Sequence, residues 1–308
     1  GDALREGNRL AFGSYVNTIY DFTKANVVVS LGSDFLDEGP AHLRYARDFS
    51  TRRRVRAGKG DAGMNRLYAI ETAPSSTGSI ADHRLPVKPS QIEAVGREIL
   101  AGLSGAPGST QMGGAARAPF VAALVKDLQA NRGASVVVPG DDQPPVVHAI
   151  AHAINSALGN IGSTVSIIDS PEIAPVNQLE SLRELVTDMN AGAVRSLIIL
   201  GGNPVFDAPV DFRFQQALNK VPFRAHLSLY NDETSLQCHW HIPETHYLET
   251  WGDARSHDGT VSIMQPLIAP LYNGRSAHEV LGSMLGGLDT SSHAAVRNYW
   301  FGRGATEA

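Results

Sequence analysis

Three short apolar runs, each closing on glycine, constrain this chain more than any other feature. Ala25-Asn26-Val27-Val28-Val29-Ser30-Leu31 runs into Gly32, Ala134-Ser135-Val136-Val137-Val138-Pro139 into Gly140, and Ser196-Leu197-Ile198-Ile199-Leu200 into Gly201-Gly202. Such runs read as strands covered on both faces, the habit of a parallel sheet lying between helices. Leu67–Glu71, Thr164–Ile168 and Phe223–Leu229 read as further strands. Helical stretches stand between them: Pro40–Arg54, Gln91–Leu103, Ala118–Asn131, Pro144–Leu158, Gln178–Met189 and Asp211–Lys220. The segment Ser75-Ser76-Thr77-Gly78-Ser79 reads as a loop. This alternation predicts an α/β chain of two Rossmann-like lobes with mostly parallel sheets. The stretch Ser104-Gly105-Ala106-Pro107-Gly108-Ser109, continuing to Gly113-Gly114, is the most linker-like. It sets the expected division: residues 1–113 as a first α/β lobe, and residues 114–308 as a second with a loop-rich C-terminal part.

With 43% hydrophobic and 19% charged residues, the chain can bury a substantial core. A net charge of −5 gives no global sign of nucleic-acid binding. The one basic run, Arg52-Arg53-Arg54-Val55-Arg56, has no interleaved aromatics and reads as a helix end or a partner-facing surface. A single cysteine, Cys238, excludes an internal disulfide and any iron–sulfur cluster held by this chain's thiolates alone. No apolar run reaches the length of a membrane span. The start Gly1-Asp2-Ala3-Leu4-Arg5 lacks both an initiator Met and an apolar targeting region, which suggests a processed or excised segment.

The glycine junctions lie where open α/β sheets bind ligands, at the carboxyl ends of strands. Glycine lets backbone approach a phosphate, and a following helix N-terminus offers free N–H groups. None of the three forms a full dinucleotide fingerprint or P-loop, so each glycine taken alone is more often a tight turn than a phosphate cradle. A second cluster is Cys238-His239-Trp240-His241-Ile242-Pro243-Glu244-Thr245-His246-Tyr247-Leu248-Glu249. Histidines at i and i+2 share a strand face, and Glu244, His246 and Glu249 would complete a zinc or iron shell. The spacing matches no standard metal motif, however, and Pro243 interrupts the strand. The bland alternative is a strand-end loop whose histidines bond backbone and carboxylates. A nucleophilic Cys238 is disfavoured, because His239 and His241 do not pair readily with it.

Leu197-Ile198-Ile199-Leu200-Gly201-Gly202-Asn203-Pro204 resembles the strand and Gly-x-Asn-Pro loop of the molybdopterin oxidoreductases. Asp232-Glu233-Thr234, His241-Ile242-Pro243, Glu249 and Gly252 then follow that family's order, and Ala25–Asp34, Leu67–Leu85 with Ala81-Asp82, and Val136–Gly162 with Gln143 and Asn160-Ile161-Gly162 resemble its upstream units. The chain is most similar to the molybdopterin-like part of the iron–sulfur subunit of alternative complex III, a bacterial quinol-oxidising membrane complex. The stretches that carry this are Phe49–Arg54, Met64–Leu67, Thr77–Arg84, Asn203–Pro209 and Leu248–Arg255. The resemblance implies cofactor-binding positions, here vestigial, at Gly32, Asp34, Gly140, Gly201, Gly202, Asn203 and Pro204. It places the chain on the periplasmic side of the bacterial inner membrane, beside iron–sulfur, haem and quinol subunits. Iron–sulfur clusters are expected elsewhere in the subunit, and no cofactor, metal or catalytic residue in this segment. Active members carry a Ser, Cys, Asp or selenocysteine ligand to the metal and an early cysteine cluster, neither of which can be placed here. Cys238 falls where the family has a small residue, and His239 where it has Asp. The expected function is thus a scaffold in electron transfer. The alternative is a fragment of an active molybdopterin-dependent oxidoreductase that binds the dinucleotide cofactor. A weaker third reading is a nucleotide-binding module of another doubly wound family, such as a thiamine-diphosphate-type middle domain.

Overall fold

The computed structural model describes residues 1–54, 63–105, 117–287 and 290–303. These described residues fall into two compact units, one within residues 1–175 and 257–259, the other within residues 176–256 and 260–303.

The first unit contains α1 (Asp2–Phe12), β1 (Val16–Tyr20), β2 (Val27–Leu31), α2 (His42–Thr51), β3 (Arg66–Glu71), α3 (Ser76–Ser79) and β4 (His83–Pro86). It continues with α4 (Ile92–Leu103), α5 (Arg117–Ala130), β5 (Ser135–Pro139), α6 (Pro145–Ala157) and β6 (Val165–Asp169). Four strands make a parallel sheet in the order β4-β3-β2-β5. The chain works outward from β2 through β3 to β4, then returns to the other side of β2 as β5. That reversal is a topological switch point, where open α/β sheets leave a crevice.

Strand periodicity explains why this sheet is buried on both sides. Val27, Val29 and Leu31 of β2 join Ile70 and Val137 in a core under α4, α5 and α6, with Val95, Ile99, Leu124 and Ile154. Val28, Leu67, Val136 and Val138 face the other way, onto Phe22, Phe35, Tyr45 and Phe49. Phe22 stacks on Phe35 with ring centroids 4.5 Å apart.

The second unit contains α7 (Gln178–Asn190), β7 (Ser196–Leu200), α8 (Pro204–Asp207), α9 (Phe214–Leu218), β8 (Phe223–Ser228), α10 (Glu233–Leu236) and β9 (Trp240–Pro243). Then come β10 (Gly252–Arg255), β11 (Val261–Met264), α11 (Ala277–Met284) and α12 (Ser292–Phe301). Strands β7-β8-β9 are parallel, and β10 pairs antiparallel with β11. Leu197 and Ile199 of β7 pack with Val186, Met189, Phe214 and Leu218 on one face.

The α/β class with parallel sheets agrees with the sequence reading, but the division does not. Residue 113 lies outside the described residues, as does most of the linker-like stretch. β5 hydrogen-bonds along β2, from Val27↔Ser135 to Leu31↔Pro139, so residues 117–175 belong to the first unit rather than the second. Nor does β6 extend the parallel sheet. It pairs antiparallel with β1, from Val16↔Asp169 to Tyr20↔Val165. Only Val165 of that strand is buried, and Ser166 and Asp169 are exposed, so it is not covered on both faces as a central parallel strand is. The helix expected over 211–220 is interrupted at Arg213, which takes φ 49°, and the expected loop at 75–79 is a helical turn capped by Ser75 Oγ.

Candidate functional site

At the switch point the carboxyl ends of β2 and β5 meet at Gly32 and Gly140. Gly140 N donates to Leu31 O at 3.1 Å, and Gly32 N to Ile70 O at 2.8 Å. A side chain on Gly140 would stand 2.0 Å from Gly32 O, so only glycine allows this approach. Gly32 takes φ 68° and lies against the amide of Gln143. Ser33 N donates to Ser30 Oγ, and Gln143 N to Gly140 O. Pro144 and Pro145, which begin α6, have no N–H to offer.

A cavity of about 100 Å³ opens beside these turns. Its lining includes Asp34, Glu38, Asp141, Tyr20, Tyr45 and His257. Asp34 is held in place by its neighbours: its carboxylate accepts from Thr77 Oγ1 at 2.6 Å, Thr77 N at 2.8 Å and Ser76 N at 3.1 Å. Among the described residues no lysine or arginine lines the cavity.

In the second unit, Gly201 and Gly202 leave β7 with φ 66° and 70° and have open space around them. Gly201 N is spent on Leu227 O at 2.8 Å. Asn203 does not point free. Its Nδ2 donates to Glu233 Oε2 at 2.7 Å, and its Oδ1 accepts from Thr234 Oγ1 at 2.7 Å and Thr234 N at 3.2 Å. Val205 N closes the ring by donating to Thr234 Oγ1 at 3.0 Å. The Asn203 bond holds the Glu233 carboxyl below its usual range. The Asn-Pro loop and the Asp-Glu-Thr turn, at the ends of adjacent strands, therefore lock one another.

Beneath that lock lies His226, fully buried on β8. One ring nitrogen bonds Ser235 Oγ at 2.8 Å, and the other bonds Gly202 O at 3.0 Å. Ser235 Oγ also meets His241 Nδ1 at 3.0 Å. Asp232 approaches the same Nδ1 of His226 at 3.5 Å and caps α10 by accepting from Ser235 N. Serine and aspartate thus share one ring nitrogen, whereas a nucleophilic triad needs them on opposite ones. The cluster is structural.

The residues of the 238–249 segment point to separate partners. His239 Nδ1 accepts from Arg224 N at 3.0 Å, and Glu249 accepts from His246 N and Leu271 N. Burial pushes the Cys238 thiol up, which disfavours a thiolate nucleophile, and likewise raises the Glu244 carboxyl. Among the described residues no group of three or more His, Cys, Asp or Glu could hold a metal ion. Arg52 and Arg53 of the basic run are internal staples: Arg52 donates to Thr23 O and Asn26 Oδ1, and Arg53 to Asn65 and Asp82. Arg56 lies outside the described residues.

A switch-point α/β unit followed by the interlocked Asn-Pro and Asp-Glu-Thr loops is molybdopterin oxidoreductase-like in fold, and the comparisons with known proteins point the same way. The chain is 24% identical over 315 residues to the menaquinone reductase molybdopterin-binding-like subunit of Nitratidesulfovibrio vulgaris, a match that covers 88% of this chain and 44% of the relative. Among solved structures it is similar to acetylene hydratase from Pelobacter acetylenicus, with TM-score 0.65 and 12% identity over 94% of this chain and 50% of that one. A second likeness is to the formyltransferase/hydrolase complex of Methylorubrum extorquens, with TM-score 0.51 and 12% identity over 98% and 83%. No family model matches. The chain spans about half the length of the first two.

The residues at the switch point do not fit the phosphate end of a molybdopterin cofactor. The amides of Gly32, Ser33 and Gly140 are spent on the protein, and the charges around them are carboxylates. Sequence reasoning found Gly32, Asp34 and Gly140 but missed Tyr20, Glu38 and His257. Asp141, directly after Gly140, was the one visible hint of the acidic lining. His257 lies so far along the chain that no local signal could connect it.

Proposed function

We propose that this chain is a cofactor-free, non-catalytic molybdopterin oxidoreductase-like domain of a respiratory quinol oxidoreductase of the alternative complex III type. In this reading it is a scaffold on the periplasmic side of the bacterial inner membrane. It holds an iron–sulfur-bearing part of the subunit against haem- and quinol-handling partners. The observation that carries it is the switch point, whose amides are already bonded and whose rim is acidic where a dinucleotide needs donors. The relative's quinone chemistry and its description as molybdopterin-binding-like support the same reading. No helix among the described residues is long and apolar enough to cross a membrane.

The open space around Gly201 and Gly202 favours one second reading, a fragment of an active oxidoreductase whose dinucleotide lies on Gly201, Gly202, Asn203 and Pro204. Elemental analysis for molybdenum, tungsten and iron, with pterin fluorescence, on the full-length natural subunit separates the two. Iron without molybdenum, tungsten or pterin is the expected result. Stoichiometric pterin with either metal would overturn the scaffold reading.

A further inference from the structure

The cavity at the switch point has a charge opposite to that of the ligands such crevices usually take. Glu38 and Asp141 stand on its rim, and neither carboxylate makes an ion pair or hydrogen bond among the described residues. Asp34 adds a third negative charge, fixed by Thr77 and Ser76. Three carboxylates alone would describe only a solvated acidic surface. The second observation is Tyr20, which is 8% exposed and lines the same cavity. Its ring is packed edge-on against Tyr45 at 6.0 Å and tilted against Phe22 at 6.4 Å, so the hydroxyl cannot swing away. That hydroxyl makes no hydrogen bond among the described residues. Burial raises the phenol, and Tyr45 and Asp141 raise it further, so it stays protonated and offers a neutral oxygen.

We propose that this cavity binds an organic cation, an alkylammonium or guanidinium head, with Glu38 and Asp141 receiving its charge and the Tyr20 oxygen accepting one of its N–H groups. The described residues contain no carboxylate group converging closely enough for a metal ion. An ammonium or guanidinium, whose several N–H donors reach different acceptors, suits the spread arrangement better. The tyrosine rings add an apolar wall on which a cation gains further attraction. About 100 Å³ admits such a head and little more. The ligand is therefore a free small amine or a lysine or arginine side chain of a partner protein. The inference goes beyond the scaffold reading and does not depend on it.

The test is calorimetric titration of the full-length chain at neutral pH and low salt with agmatine, with an acetylated peptide carrying one arginine, and with inorganic pyrophosphate. Agmatine should bind saturably, at one per chain. Asp141→Asn and Glu38→Gln should each weaken it about tenfold, the scale of one lost charge-assisted hydrogen bond. Tyr20→Phe, which keeps the ring packing, should weaken it about threefold to tenfold, the value of one neutral hydrogen bond. Glu184→Gln, in the other unit, should change nothing. Peptide binding at least as tight as agmatine assigns the ligand to a partner's side chain, and agmatine binding alone assigns it to a free amine. The Glu38 side chain is exposed and bonds nothing among the described residues, so its variant keeps the fold and stays informative if Asp141→Asn does not. Absence of saturable amine and peptide binding, unchanged affinity in Glu38→Gln, or pyrophosphate binding in competition with agmatine would each overturn the proposal.

Discussion

The two units build the same element, a parallel sheet with glycine turns at its carboxyl edge, and finish it differently. In the first unit β2 lies between β3 and β5, and every one of its residues is buried. Helices cover one face, and the aromatic cluster of Phe22, Phe35, Tyr45 and Phe49 covers the other. In the second unit β7 is an edge strand, and its core is confined to the α7 and α9 side. On the opposite face Phe223 is 41% exposed and Trp240 63%. Burial on both faces closes the first unit's sheet, whereas the second has apolar core on one face and polar bonds that join its loops. Apolar burial and family motif thus lie in different places: the sheet with core on both faces is in the first unit, and the interlocked Asn-Pro and Asp-Glu-Thr loops are in the second.

Ile99→Ala, in the closed core of the first unit, should cost about 4 kcal/mol, read as a lowered urea midpoint. A loss under about 1 kcal/mol would show that this core relaxes around cavities. Gly140→Ala drives a methyl into Gly32 O and should cost about 3 kcal/mol, with a matching fall in melting temperature.

Acid should also act on the first unit. His148 and His152 on α6 are buried, and burial holds both imidazoles below their ordinary value, His152 at about 4. The unfolded chain takes up protons near pH 6.5, whereas folded His152 resists until about pH 4. The contribution of a neutral His152 is therefore fully present above pH 6.5 and lost as the pH falls toward 4. Its size is roughly 3 kcal/mol. Urea melts at pH 7 and pH 4.5 should show it, and His152→Gln should flatten the dependence.

The second unit should respond on a smaller scale. Asn203→Ala removes the ring that joins Thr234 and Glu233 and should cost about 1–2 kcal/mol. Faster hydrogen exchange confined to residues 201–206 and 232–236 would sharpen the assignment of that lock. Trp240→Ala, on the open sheet face, should change stability by under about 0.5 kcal/mol. A larger loss would mean that this face is covered in solution, and the contrast between the units would fall.

Much of the fold was legible because apolar strands carry their burial in their own composition. Val27–Leu31, Ser135–Pro139 and Ser196–Leu200 are strands of the expected length and end at the expected glycines. The short, half-polar strands β1, β4, β10 and β11 escaped, since Val16–Tyr20 and Gly252–Arg255 exist by pairing rather than by pattern. The candidate site was legible only in part. Gly32, Asp34, Gly140 and the Gly201–Pro204 loop stand at strand ends as expected, yet their chemistry was not visible. Asn203 sits in a ligand-contact motif, but Thr234 and Glu233 hold its amide.

Hydrophobic periodicity and glycine placement are local properties of the chain, and they were enough to set the α/β class, the strand ends and the order of the loops. Tertiary structure alone decided that β5 returns beside β2, which moved the division from residue 113 to 175 and created the switch point. It alone brought Tyr20, Asp34, Glu38, Asp141 and His257 around one cavity. Strand pairing and the convergence of charges are relations between distant residues, and no local pattern encodes which pairs will form.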